Sequence, residues 1–159
     1  MLEWLSILTK KLKIEKRYIM TPATMKAMFP KDCVVEILDN SYDTCSVHEM
    51  MDLASTFPAA YTKYKNPSGI SGLLRKIFRY REEVHDCDNY AFLFKVYVNA
   101  VAGNLSMGIV HVKNGDGKHS LNFFIDKNYV LWYIESQNGL LYKENSYSVR
   151  NYVPYWVVF

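Results

Sequence analysis

Three residues of this chain have the types and the order that could activate a nucleophile: Cys87, then His119, then Glu135. Cys87 stands in the segment Glu82-Glu83-Val84-His85-Asp86-Cys87-Asp88-Asn89-Tyr90-Ala91-Phe92-Leu93-Phe94. Asp86 is a good N-cap residue, Asp88 falls in the following turn, and Tyr90 to Val101 is an apolar, helix-compatible run. Cys87 is thereby placed in the first turn of a largely buried helix. Unpaired backbone N–H groups and the positive end of the helix dipole favour a thiolate there and could hold an oxyanion. An isolated free cysteine is more often a small core hydrophobe, so the case for chemistry depends on what surrounds it.

The base comes from the elements that follow. Ser106 to Val112 reads as a strand, Asn114-Gly115-Asp116-Gly117 as a tight turn, and His119 to Ile125 as the return strand. Asn128 marks a second turn, Tyr129 to Glu135 a third strand, and Asn138-Gly139 a third turn. His119 then opens a strand, where its ring can reach a neighbouring helix start, and Glu135 closes one, where it can fix the imidazole tautomer. The other histidines fit less well. His111 sits in mid-strand, and His85 is too near Cys87 in sequence to face it across a cleft, although it could line the site. His48 lies in the capping box Ser46-Val47-His48-Glu49.

The segments Cys87-Asp88-Asn89-Tyr90-Ala91, His119-Ser120-Leu121-Asn122 and Glu135-Ser136-Gln137 resemble the papain-like cysteine protease domain of the Marasmius oreades agglutinin and related bacterial and phage proteins. The resemblance covers roughly residues 82–140. It implies a papain-like α+β fold, a thiol protease with Cys87 as nucleophile, His119 as general base and Glu135 as orienting acid, and calcium or manganese held by Asp88, Asn89 and Gln137. Asn89 stands where that family has a second Asp. An amide oxygen still suits calcium, at the loss of one charge. Asp88 and Asn89 can equally be read as ordinary helix-start residues. Gln137 is the sole glutamine, so no glutamine precedes the cysteine to hold an oxyanion. Backbone N–H groups, His85, Asn40 or Asn66 are the remaining donors.

The rest of the chain sets bounds. Its 159 residues suit one domain, and 50% hydrophobic content with 13 tyrosines suits a folded one. A net charge of +3 is too small to argue for nucleic acid. Cys33, Cys45 and Cys87 form neither a disulfide framework nor a zinc pattern, which fits a reducing cytoplasm. No apolar run reaches a membrane span, and Lys10, Lys11 and Lys13 interrupt the first segment, so neither a span nor a signal peptide is expected. Met1 to Lys13 has leucines at helical spacing and reads as a helix docked on the core or a partner. Val34 to Leu38 reads as a strand, Thr44 to Ser55 as a helix, Tyr155 to Phe159 as a final strand, and Pro58, Pro67 and Gly69 as loop markers. The basic stretch Lys63 to Arg81 is a solvated face or the rim of a cleft for acidic substrates.

The expectation is one papain-like domain over residues 1–159, with a helical N-terminal half and the nucleophile helix packed on an antiparallel sheet. Its expected function is cysteine peptidase or hydrolase through a thioester, acting on a peptide or protein. The alternatives are a transglutaminase-like acyltransferase and a degenerate papain-fold interaction protein of phage or host-defence origin.

Overall fold

A computed structural model of the chain describes residues 18–62 and 86–159. The expected helix over Met1 to Lys13, the loop markers Pro67 and Gly69, the basic stretch Lys63 to Arg81, Asn66 and His85 lie outside the described residues. Within them the order is β1 (Ile19–Met20), α1 (Pro22–Lys26), β2 (Val34–Glu36), β3 (Tyr42–Asp43), α2 (Val47–Thr62), α3 (Cys87–Ala102), β4 (Met107–Asn114), β5 (Gly117–Ile125), β6 (Leu131–Glu135), β7 (Leu140–Lys143) and β8 (Val153–Val158).

Local chemistry accounts for most of these boundaries. The α2 start is closed by a reciprocal capping box: Ser46 N–H and Oγ–H both donate to Glu49 Oε2, at 2.6 and 2.7 Å, and Glu49 N–H returns to Ser46 Oγ at 3.2 Å. The helix runs on through Pro58, which the sequence reading takes as a loop marker. α3 ends at Gly103, whose φ of +84° suits a residue without a Cβ. The β4–β5 hairpin turns at Gly115, at φ +60°.

β4 to β7 form an antiparallel meander, and β8 pairs antiparallel with the outer side of β4. β2 then adds in parallel to β8, with Val34 opposite Trp156 and Glu36 opposite Val158. The sheet order is β2-β8-β4-β5-β6-β7. The expected helical N-terminal half is corrected here. Among the described residues the first half supplies three strands as well as two helices. Thr21, Pro30 and the Asp39–Ser41 turn segment cut 18–45 into pieces too short for long helices. The expected antiparallel sheet is likewise mixed, because β8 accepts a parallel neighbour from that half.

Strand alternation sorts the sheet into two faces. Val110, Val112, Leu121, Phe123, Ile125, Tyr133 and Val157 point into one core with Phe29, Tyr42 and Phe159. Met107, Phe124 and Ile134 point into the other, under α2 and α3 with Leu53, Phe57, Phe94 and Val98. Gly108 permits the close approach of β4 to its surroundings: a Cβ there would lie 2.2 Å from the Val158 carbonyl oxygen and 2.8 Å from the Phe123 ring.

Candidate functional site

Asp86 occupies the N-cap position of α3 in extended conformation but makes no side-chain capping hydrogen bond. Its carboxyl instead interacts with that of Asp88, which holds Asp86 below the ordinary carboxyl range and pushes Asp88 above it. Asn89 N–H closes on Asp88 Oδ1 at 2.7 Å. Cys87 is the first residue of the helix and is half-buried, whereas Cys33 and Cys45 are buried.

The structure brings Cys87, His119 and Glu135 together. His119 Nε2 lies 2.7 Å from Glu135 Oε2. That leaves Nδ1 for Cys87, with which His119 also hydrogen-bonds. The hydrogen bond to His119 lowers the Cys87 thiol below its ordinary range against the opposing effect of burial, and Ser120 adds to the lowering through its backbone N–H and its hydroxyl. Hydrogen bonds to Cys87 and to Glu135 raise His119 to about 9. Both shifts favour a thiolate–imidazolium pair. The other thiols go the opposite way: burial raises Cys33, and burial followed by the charges of Glu49 and Asp126 pushes Cys45 up to about 12.

Consecutive residues of one strand face opposite ways, yet His119 and Ser120 both reach Cys87. Asn122, fully buried two residues on, fixes the helix to that strand. Its Nδ2 donates to the Ala91 carbonyl of α3 at 2.9 Å and to the Gly108 carbonyl of β4 at 3.1 Å, and its Oδ1 accepts from Ser136 Oγ. Three of the four polar capacities of the amide are thus spent on setting α3 against β4, β5 and the end of β6.

The sequence reading quotes Ser120, Asn122 and Ser136 within its three segments but gives them no role, and it sets His111 aside as a mid-strand residue. His111 does sit mid-strand, but its Nδ1 lies 2.8 Å from Ser120 Oγ. The signal for this group was the alternation Ser120-x-Asn122 on a strand whose next residue on that face is apolar Phe124. His48 lies on the exposed surface of α2, 3.9 Å from Asp52. Asn40 is exposed and no hydrogen bond ties it to Cys87.

Asp88 and Asn89 lie in the first turn of α3, and Gln137 follows β6, its backbone N–H 3.4 Å from Glu135 Oε1. These are hard oxygen donors at the ends of the two elements that carry the thiol and the acid, and in kind they suit calcium or manganese. Among the described residues no three His, Cys, Asp or Glu side chains gather as a metal site, so such an ion would depend on the two amide oxygens.

No family model and no curated protein matches this chain. Solved structures do. One, described as "PSL1a-E64 complex", matches 89% of this chain and 51% of its own at TM-score 0.63 and 22% identity. Another, Polyporus squamosus lectin bound to the human-type influenza-binding epitope Neu5Aca2-6Galb1-4GlcNAc, matches 89% and 49% at TM-score 0.60 and 18% identity. This chain therefore spans about half the length of each and shares its fold. The likeness corrects the expected assignment to papain-like cysteine proteases, since the fold is shared with a lectin. The expected cysteine peptidase, hydrolase and acyltransferase activities, the degenerate papain-fold alternative and the peptide substrate fall with that assignment. Among the described residues no helix is long and apolar enough to cross a membrane.

Proposed function

We propose that this domain is a binding module that carries a nucleophilic thiol centre, in which Cys87 captures an electrophilic ligand stoichiometrically. The observation that supports it is the convergence of His119 and Ser120 on Cys87, with Glu135 behind His119. The thiolate attacks a carbon bearing a leaving group. The new S–C bond takes the sulfur electron pair, and the bond to the leaving group breaks with its own pair. Where the leaving atom is an oxygen that stays attached to the ligand, it takes the proton from His119 Nδ1, and Glu135 stabilises the imidazolium until then. Calcium or manganese, held by Asp88, Asn89 and Gln137, would add positive charge at the helix start and take no part in that step.

The test is intact-mass analysis after brief exposure to iodoacetamide, and separately to E64, the ligand named for one structural neighbour. At mildly acidic pH a single adduct on Cys87 is expected, absent from Cys87→Ala, with Cys33 and Cys45 unmodified. Equal labelling of all three thiols in the folded protein would remove the basis for the proposal.

A second reading, glycan binding, is supported by the neighbour solved with a sialylated trisaccharide and by the Trp156 indole. The residue is 38% exposed and its ring is stacked on His111 at 4.8 Å, as a platform for a sugar face would be. Titration with Neu5Aca2-6Galb1-4GlcNAc, followed by tryptophan fluorescence in wild type and Trp156→Ala, tests it. A saturable change lost in the variant supports this reading, and no change in wild type removes it.

A further inference from the structure

The hydrogen bond between His119 and Glu135 is largely shut off from water. Its atoms lie 2.7 Å apart, and only 25% of the His119 side chain and 15% of the Glu135 side chain are exposed. The ring that stands against it is Tyr152. Its centroid lies 6.3 Å from that of the imidazole with the two planes at 68°, an edge-to-face contact. Strand register accounts for the meeting. His119 pairs with Val112 of β4, and Val112 with Pro154 of β8. Tyr152 precedes Pro154 by two residues and so leans to the same face of the sheet. It is fixed there: its backbone N–H donates to the Val149 carbonyl at 2.9 Å, Val149 is buried in the core of Phe29, Phe123 and Phe159, and Tyr152 is itself partly buried against that core.

A hydrogen bond to Glu135 fixes one point of the imidazole and leaves the ring free to tilt about that point. A second contact, on the ring itself, removes that freedom. Water admitted to the pair would compete for Glu135 Oε2 and weaken the bond. We propose that Tyr152 is a positioning residue, whose ring shields the His119–Glu135 hydrogen bond and holds the imidazole plane in which Nδ1 is presented to Cys87. Tyr152 acts through His119 and not on the thiol. Among the described residues its hydroxyl has no hydrogen-bond partner, so the ring and not the hydroxyl supplies the effect. The inference rests on the reading of Cys87 as a nucleophilic thiol.

Wild type gives the first readout, which depends on no variant folding. Proton NMR of histidine-labelled protein is expected to show the His119 Nε2–H as a persistent downfield signal, while the ring protons of His48, whose side chain is 86% exposed, are lost to exchange with water. The second readout is the iodoacetamide rate of Cys87 at one neutral pH in wild type, Tyr152→Ala and Tyr152→Phe. Opening a charge-assisted hydrogen bond to water changes a rate by about tenfold. Tyr152→Ala is therefore expected to slow alkylation about tenfold and to lose the Nε2–H signal, and Tyr152→Phe to restore both. A role in packing alone would lower the stability of Tyr152→Ala without moving either readout of the folded protein, and that result would overturn the inference. Absence of the wild-type signal, or a Tyr152→Phe as slow as Tyr152→Ala, would overturn it too. A wild-type Cys87 no more reactive than Cys33 and Cys45 would instead overturn the reading beneath it, and exchange of the His119 proton would still test the shield.

Discussion

On one face of the sheet Phe123 meets Phe29 at 5.1 Å and Phe159 at 4.7 Å, both edge to face, in a core of aromatic and aliphatic side chains, with His119 against Tyr152 at its edge. On the other face, under α3, Phe124 and Met107 give way along the same strands to Asn122, Ser120 and His111. Both regions are well buried, so burial alone does not distinguish them. The first gains stability from apolar area and ring geometry. The second places amides, hydroxyls and an imidazole where apolar residues would cost nothing in desolvation, and satisfies each with a specific partner. Polar groups kept at that expense, all within reach of one helix start, indicate that this face is built to hold Cys87 as well as to pack a helix.

The contrast can be broken by one substitution on each face. Phe123→Ala leaves a cavity between Phe29 and Phe159 and is expected to cost about 3–5 kcal/mol in chemical denaturation, the largest effect here. The Cys87 labelling rate of the protein that remains folded is expected to stay near wild type. Asn122→Ala is expected to cost less, about 2–3 kcal/mol, since it removes neutral hydrogen bonds and leaves Ser136 without an acceptor. It is nevertheless expected to slow Cys87 labelling, because the Ala91 carbonyl of α3 is no longer tied to β5. If Phe123→Ala slows labelling in the folded state as much as Asn122→Ala does, the two faces do not divide stability from site geometry.

That division explains what the sequence disclosed. The hairpin at Asn114–Gly117, the capping box at Ser46 and the helix after Asp86 are local signals, each resting on residues within a turn of one another. Cys87, His119 and Glu135 could be grouped because Cys87 opens a helix, Glu135 closes a strand and His119 follows closely on the hairpin turn. The parallel pairing of β2 with β8 was not legible, since it joins residues more than a hundred positions apart and no local pattern announces it. The His111–Ser120 contact was hidden for a similar reason: it depends on the β4–β5 register, and a single histidine in a strand looks like any other. The fungal likeness of motif around Cys87, His119 and Glu135 pointed to a protease. The shared fold points to structures known as a lectin, and a motif of three short segments does not by itself carry an activity.

A smaller effect sharpens the site itself. His119 is raised from its ordinary 6.5 to about 9. A raised histidine contributes stability that is fully present below its unfolded value and is lost as pH rises through its folded one. Glu135→Gln removes one cause of the rise, so wild type is expected to exceed the variant in stability at about pH 6 and to match it near pH 10. The thiol moves in the opposite sense: with a weaker imidazolium beside it, Cys87 is expected to need a higher pH for half-maximal alkylation. A gap in stability that grows with pH, or an alkylation profile that does not move, would show that Glu135 leaves the pair unaffected.

The smallest expected effect concerns the helix start, where the Asp86 and Asp88 carboxyls interact. A cation bound through Asp88, Asn89 and Gln137 would tie the end of β6 to the start of α3. Three side-chain oxygens, two of them amides, make a weak site, so saturation is expected only at millimolar ion. At about ten times the dissociation constant, mass action adds about 1.4 kcal/mol of stability, or a few degrees in the melting temperature. The measurement is a thermal melt of wild type and Asp88→Ala with calcium, with manganese and with chelator. A rise of that size in wild type, absent from Asp88→Ala and reversed by chelator, is the expected outcome. An equal rise in both proteins would place the ion elsewhere, and no rise in wild type would show that these three residues hold no ion.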